Sequence, residues 1–196
     1  MREFLPPFQK MNGGVLRFRP PGRGRGFRMG GPRGLRRGWD MKSITYGDVS
    51  VRRMVEIIRD YIRAEKDDAY EISVGTDSQN TKLTKVVVAV AVHRVGHGGI
   101  FFYDTRTVKK ITSVRQKIYY ETSLSLELAA KLSKAFADAG IRQEISIHLD
   151  IGENRKGRTF ELISEIVGWV RASGYKCAIK PDSVTASSIA NRYTKR

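Results

Sequence analysis

Apolar positions recur at two different spacings along this chain, and together they mark out its elements. From Ser50 to Lys66, the residues Val51, Met54, Val55, Ile58, Tyr61 and Ile62 recur at three and four, with Arg and Glu opposite. That spacing predicts an amphipathic helix, with Ser50 as its N-cap. Ala69 to Val74 predicts a short strand, closed by Gly75-Thr76-Asp77-Ser78-Gln79. Val86 to Val92 is apolar almost throughout, as in a strand covered on both faces. Gly96-His97-Gly98-Gly99 predicts a turn, and Ile100-Phe101-Phe102-Tyr103 opens a further strand reaching about Val108. The short connections imply three consecutive antiparallel strands.

The second half alternates. Ser113 with Gln116 has the spacing of a capping box and opens a long helix to about Ala139, with Gly140 as its stop. Ile118, Leu124, Leu128, Leu132 and Phe136 form its apolar face. Ile145 to Leu149 predicts a strand, Thr159 to Ala172 a helix ending at Gly174, Tyr175 to Lys180 a strand, and Ser183 to about Tyr193 a last helix. Strands alternating with helices imply parallel strands joined by crossovers. The expected fold is therefore α/β, a mixed five-stranded sheet of three antiparallel and then parallel strands, flanked by helices.

Charge changes this picture at one end. The 196 residues carry a formal +16, and half of that excess falls in residues 1–40, where ten Lys and Arg meet two acids. Arg17 to Arg28 is rich in Gly and Pro, which break any element, and in Arg, whose charges repel one another. Residues 1–41 are expected to be a disordered basic tail and 42–196 the folded domain. The tail suits phosphate contacts and stacking on nucleic acid. It also suits a leader with no role of its own, and Met29 and Met41 could each be alternative starts. A basic excess of this size favours nucleic acid as partner. The single cysteine, Cys177, excludes a disulfide framework and points to a reducing, cytoplasmic setting. No apolar run approaches the roughly 20 residues of a membrane helix. Nothing in the sequence speaks to oligomeric state.

Candidate chemistry lies in the acids. Asp77, Asp150 and Asp182 each fall where a strand is expected to end. Gathering carboxylates costs repulsion unless a cation lies between them, and hard oxygen donors suit Mg²⁺ or Mn²⁺. His148, two residues before Asp150, should share its side of the sheet. His93 and His97 are a weak zinc pattern at a strand–turn junction. Each acid also has an ordinary use. Asp77 and Asp150 could serve turns, and Asp182 could be an N-cap. Three such acids meeting at one sheet edge by chance is the weaker explanation.

The order of elements resembles the ribonuclease H-like fold, and the local sequences narrow the likeness. Val74-Gly75-Thr76-Asp77-Ser78-Gln79, Arg115 to Ser123 around Glu121, His148-Leu149-Asp150-Ile151-Gly152, and Lys180-Pro181-Asp182-Ser183 followed by Ala186 to Lys195 resemble the bacterial YkuK family of ribonuclease H-like proteins, over about 42–196. The resemblance implies that fold, a metal-dependent nuclease, and a glutamate on the first long helix facing the sheet. Facing favours Glu121, which is in line with Leu124, Leu128, Leu132 and Phe136. The spacing and local Glu-Leu-x-Ala pattern of type 1 ribonucleases H favour Glu127. Facing decides what a side chain can touch, so Glu121 is taken and Glu127 kept as the alternative.

The chemistry implied is two-metal hydrolysis of phosphodiester bonds in RNA or an RNA–DNA hybrid, with two Mg²⁺ or Mn²⁺ about 4 Å apart. Asp77 would bridge the ions, Asp150 and Glu121 would hold one, and Asp182 the other. Lys109, Lys110, Arg115 and Lys117 before and within the long helix, and Arg155, Lys156 and Arg158 after Asp150, would hold phosphates by sequence-independent contacts. A solvated basic surface is the ordinary alternative. Tyr119-Tyr120 offers a base-stacking face, with one of the pair expected in the core. The other function considered is a non-catalytic nucleic-acid-binding or ribonucleoprotein-associated protein on the same fold.

Overall fold

A computed structural model describes residues 38–152, 158–180, 182–183 and 185–195, without the side chains of 152, 158–161 and 185. The basic tail through residue 37, with Met29, lies outside the described residues, as do Arg155, Lys156 and the side chain of Arg158. The folded unit begins at Gly38, earlier than the expected boundary at 42. Trp39 and Met41 explain the shift, because both are buried in the core. Full burial of a methionine is worth roughly 1.5–3 kcal/mol, which favours order over a free tail at that point.

The elements run β1 (Asp40–Ser43), β2 (Gly47–Ser50), α1 (Val51–Ala64), β3 (Tyr70–Asn80), β4 (Thr84–Arg94), β5 (Gly98–Val108), α2 (Val114–Ala139), β6 (Ile145–Gly152), α3 (Arg158–Ala172), β7 (Lys176–Lys180) and α4 (Thr185–Thr194). They build one seven-stranded sheet in the order β2-β1-β5-β4-β3-β6-β7. The five expected strands are there, with β3, β4 and β5 antiparallel and β6 and β7 added in parallel. Two further strands, β1 and β2, form a hairpin at the β5 edge that the sequence pattern did not reveal. Each is four residues long, too short for an alternation to stand out.

Local signals account for the helix ends. The Ser50 hydroxyl accepts from Arg53 N–H at 3.2 Å, and the Ser113 hydroxyl from Gln116 N–H at 3.4 Å. Gly140, at φ 70°, closes α2 in the left-handed conformation that costs glycine least. The sheet divides two layers. On one face α1, α2 and α3 pack with Val86, Val88, Val90 and Val92 of β4 in the main core. On the other, Val87 and Ala89 of β4 meet Ala190 and Tyr193 of α4 in a smaller cluster. The unbroken apolar run of β4 thus faces cover on both sides, as expected.

Candidate active site

Asp77 does not end its strand. β3 continues to Asn80, paired with β4 all the way to Asn80 opposite Thr84. What ends there is the parallel pairing with β6, whose last register pair is Thr76 opposite Leu149. Asp77 therefore stands in a continuous strand at the point where its other neighbour turns away. The alternation of β3 is visible in its partners. Thr76 and Ser78 face α2, where their hydroxyls meet Ser125 Oγ at 2.7 Å and Glu121 Oε1 at 2.6 Å. Gly75 and Asp77 face α4, where Thr194 donates its hydroxyl to Asp77 Oδ2.

Gly75 makes that last approach possible. A Cβ at Gly75 would stand 2.8 Å from Ser187 N and 3.0 Å from His148 O, both backbone atoms. The small residues Ala186, Ser187 and Ala190 complete the fit of α4 on the strand. Ser183, at the approach to α4, is buried and donates to Leu149 O at 2.8 Å.

Asp150 is placed by an irregularity. His148 pairs with Ala178 and Gly152 with Lys180, so β6 carries two more residues than β7 over that interval. Such a bulge re-aims side chains and ends regular pairing. Asp150 Oδ1 is fully buried and lacks a hydrogen bond, while Lys180 Nζ stands in ion-pair contact with it. The two observations agree if the contact is one of charge without hydrogen-bond alignment.

Glu121 closes the group from α2. Burial pushes its carboxyl up to about 7, the Ser78 hydrogen bond and Lys117 pull against that, and the charges of Asp77 and Asp150 push with it. Asp77 is likewise raised by burial first, against the Thr194 hydrogen bond and Lys117, with the charge of Asp150 adding to the rise. Lys117 Nζ is 3.9 Å from Glu121 Oε1. Glu127 is engaged elsewhere, accepting from Lys131 Nζ at 2.9 Å one turn along α2.

The remaining sites expected from sequence divide. Asp182 is exposed, three residues ahead of α4 rather than on its first turn, and its N–H bonds Ile179 O at 2.8 Å. Arg115 turns to Glu165 of α3, at 3.2 Å, and to Tyr119. Lys109 and Lys110 are exposed. They lie in the segment fixed by Asn80 Nδ2 donating to Ile111 O at 2.7 Å, beside the end of β3. Tyr119 and Tyr120 are both half-buried, Tyr119 against Trp169. His148 Nε2 meets Ser146 Oγ at 3.1 Å, and burial lowers its pKa. The residues missed were Ser78, Thr194 and Lys180. All three lie inside the motifs quoted above, one or two positions from a candidate acid or in the Tyr193-Thr194-Lys195 run. Only their type, not their position, failed to draw notice.

Among the described residues, no three His, Cys, Asp or Glu side chains stand close enough to share an ion. The fit to a hard divalent cation is one of donor kind. Three carboxylates from three elements feel one another's charge, and one of their oxygens is buried without a hydrogen bond. Their oxygens are turned instead to Ser78, Thr194 and Lys180.

The family model described as Ribonuclease H-like matches residues 53–195. The chain belongs to the ribonuclease H-like family. A relative from Bacillus subtilis (strain 168), named "Uncharacterized protein YkuK", is 34% identical over 166 residues, covering 78% of this chain and 95% of the relative. The resemblance to the YkuK family is thereby borne out for this ribonuclease H-like chain. Among solved structures, it is similar to the Mos1 transposase catalytic domain with raltegravir and Mn, at TM-score 0.26 and 7% identity, over 64% of this chain and 56% of that one. The catalytic domain of Mos1 mariner transposase gives 0.25 and 6% over the same shares. The chain spans just over half of each, and overlaps of that size carry no argument about its fold or activity. For the ribonuclease H-like domain itself, no described helix is long and apolar enough to cross a membrane.

Proposed function

We propose that this protein is a metal-dependent nuclease that hydrolyses phosphodiester bonds of RNA or an RNA–DNA hybrid. The observation that carries the reading is the convergence of Asp77, Glu121 and Asp150, from β3, α2 and β6, within electrostatic reach at one end of the sheet of a ribonuclease H-like chain. Asp77, Glu121 and Asp150 would hold Mg²⁺ or Mn²⁺, with Asp182 joining from the approach to α4. A bound divalent ion supplies a nucleophilic water near neutral pH and steadies the charge on the leaving oxygen. The protein's own residues do the rest. Thr194 and Ser78 orient the Asp77 and Glu121 carboxylates. Lys109 and Lys110, exposed beside the end of β3, and Lys117 by Glu121 would hold substrate phosphates. The basic tail would add affinity of the same kind.

The test is hydrolysis by the full chain of labelled single-stranded RNA, RNA–DNA hybrid and DNA, in Mn²⁺, Mg²⁺ and EDTA. Cleavage of RNA or hybrid is expected with metal only, and Asp77→Asn should lower it on the order of 10³-fold while keeping the fold. Folded wild type that binds RNA equally well in EDTA and cleaves nothing would overturn the reading. It would favour a non-catalytic nucleic-acid-binding protein instead.

A further inference from the structure

We propose that Lys180 is a built-in competitor for the divalent cation, its ammonium occupying the Asp150 oxygen that a metal ion would take. The inference rests on the metal-site reading above. Lys180 Nζ is in ion-pair contact with Asp150 Oδ1, and that oxygen is fully buried with no hydrogen bond. The contact is therefore one charge set against another. The two ends of the pair differ in environment. The Lys180 side chain is 54% exposed and that of Asp150 15%. The lysine can leave for solvent, whereas the aspartate cannot follow.

The backbone makes the pairing a built feature. The bulge in β6 brings Gly152 opposite Lys180, and the two extra residues carry Asp150 round to the end of β7. The other carboxylates are held differently. Asp77 and Glu121 accept from the hydroxyls of Thr194 and Ser78, which are neutral and do not repel a cation nearby. Lys117, at 3.9 Å, touches Glu121 only at the limit of an ion pair. An ammonium and a divalent ion on one oxygen repel each other, so the cation binds Asp150 only as Lys180 withdraws. Cation affinity is then set lower than the carboxylates alone would give.

The experiment is calorimetric titration of the full chain with Mn²⁺ at fixed pH and salt, with no nucleic acid present. Lys180→Met keeps the apolar stem and removes the charge. It should bind Mn²⁺ about fivefold more tightly than wild type, the equivalent of roughly 1 kcal/mol. Lys180→Arg restores a cation and should return to within about twofold of wild type, while Asp77→Asn weakens binding. If Lys180→Met binds no more tightly than wild type while Asp77→Asn still weakens binding, the lysine inference falls and the metal site stands. If neither wild type nor Lys180→Met binds Mn²⁺, both folded by circular dichroism, both readings fall. Lys180→Gln carries the same measurement should the methionine variant fail to fold.

Discussion

Large aliphatic side chains fill one face of the sheet, while the other carries a smaller cluster around Val87, Ala89, Ala190 and Tyr193 and, on β3, the glycine and aspartate Gly75 and Asp77. On the first face, Leu124, Leu128, Leu132 and Phe136 of α2 meet Val86, Val88, Val90 and Val92 of β4, all of them buried. On the second, α4 rests on β3 through Gly75, Ala186, Ser187 and Ala190. The first arrangement buries much apolar area and supplies most of the fold's stability. The second buries a smaller cluster and brings the backbone of α4 close to that of β3 at Gly75. The difference teaches that the site is hung on a core it does not belong to. Glu121 is the exception, a carboxylate on the core-side helix that accepts from Ser78 of β3 and feels the charges of Asp77 and Asp150.

This division can be broken by substitution. Leu128→Ala, in the main core, should cost about 2–5 kcal/mol in chemical denaturation. Hydrolysis per folded molecule should stay unchanged. A loss of activity out of proportion to the unfolded fraction would show that the core shapes the site after all.

Glu121 tests the exception. Its folded carboxyl is raised to about 7, against 4.5 for an ordinary glutamate. Between those values the folded chain binds more protons than the unfolded one, so stability falls as pH rises from about 4.5 and the loss is complete above about 7. Asp77, also raised, acts in the same direction. The ceiling for Glu121 is roughly 3 kcal/mol. In EDTA, Glu121→Gln should therefore be the more stable protein at pH 8, with the gap closing toward pH 4.5. Parallel pH–stability curves for the two proteins would sink this account.

Gly75→Ala sharpens the comparison from the other face. A Cβ 2.8 Å from Ser187 N cannot be relieved by a rotamer change, because its neighbour is backbone. The cost in stability is expected at about 1–3 kcal/mol. The loss of hydrolysis should exceed it, since α4 also carries Thr194 to Asp77. Equal losses in both would place α4 with the core in function as well as in space.

Much of this was legible along the chain, for local reasons. Ser50, Ser113 and Gly140 act within one helical turn, so their spacing alone announced the helix ends. Val86 to Val92 showed a strand covered twice because every position was apolar. The line from Glu121 to Phe136 showed which glutamate faces the sheet, and Glu121 is the one bonded to Ser78. What escaped depends on partners distant in sequence. The hairpin of β1 and β2 is too short to carry a pattern, and Met41 gives itself away only by burial. That β3 runs on past Asp77 is decided by β4, opposite it. The tie of Lys180 to Asp150 depends on a bulge in which two strands disagree in length, and no single strand reveals that.

The alternation of β3 has a genetic consequence. Thr76 and Ser78 look one way, and Gly75 and Asp77 the other, along a strand paired on both sides. Exchanging one residue between Tyr70 and Asp77 changes only the contacts around that position, as at Gly75 against Ser187 and His148. Inserting or deleting one would turn every later side chain to the opposite layer, sending Asp77 toward the aliphatic core and a hydroxyl toward α4. In this stretch, the count of residues is under tighter constraint than most of their identities.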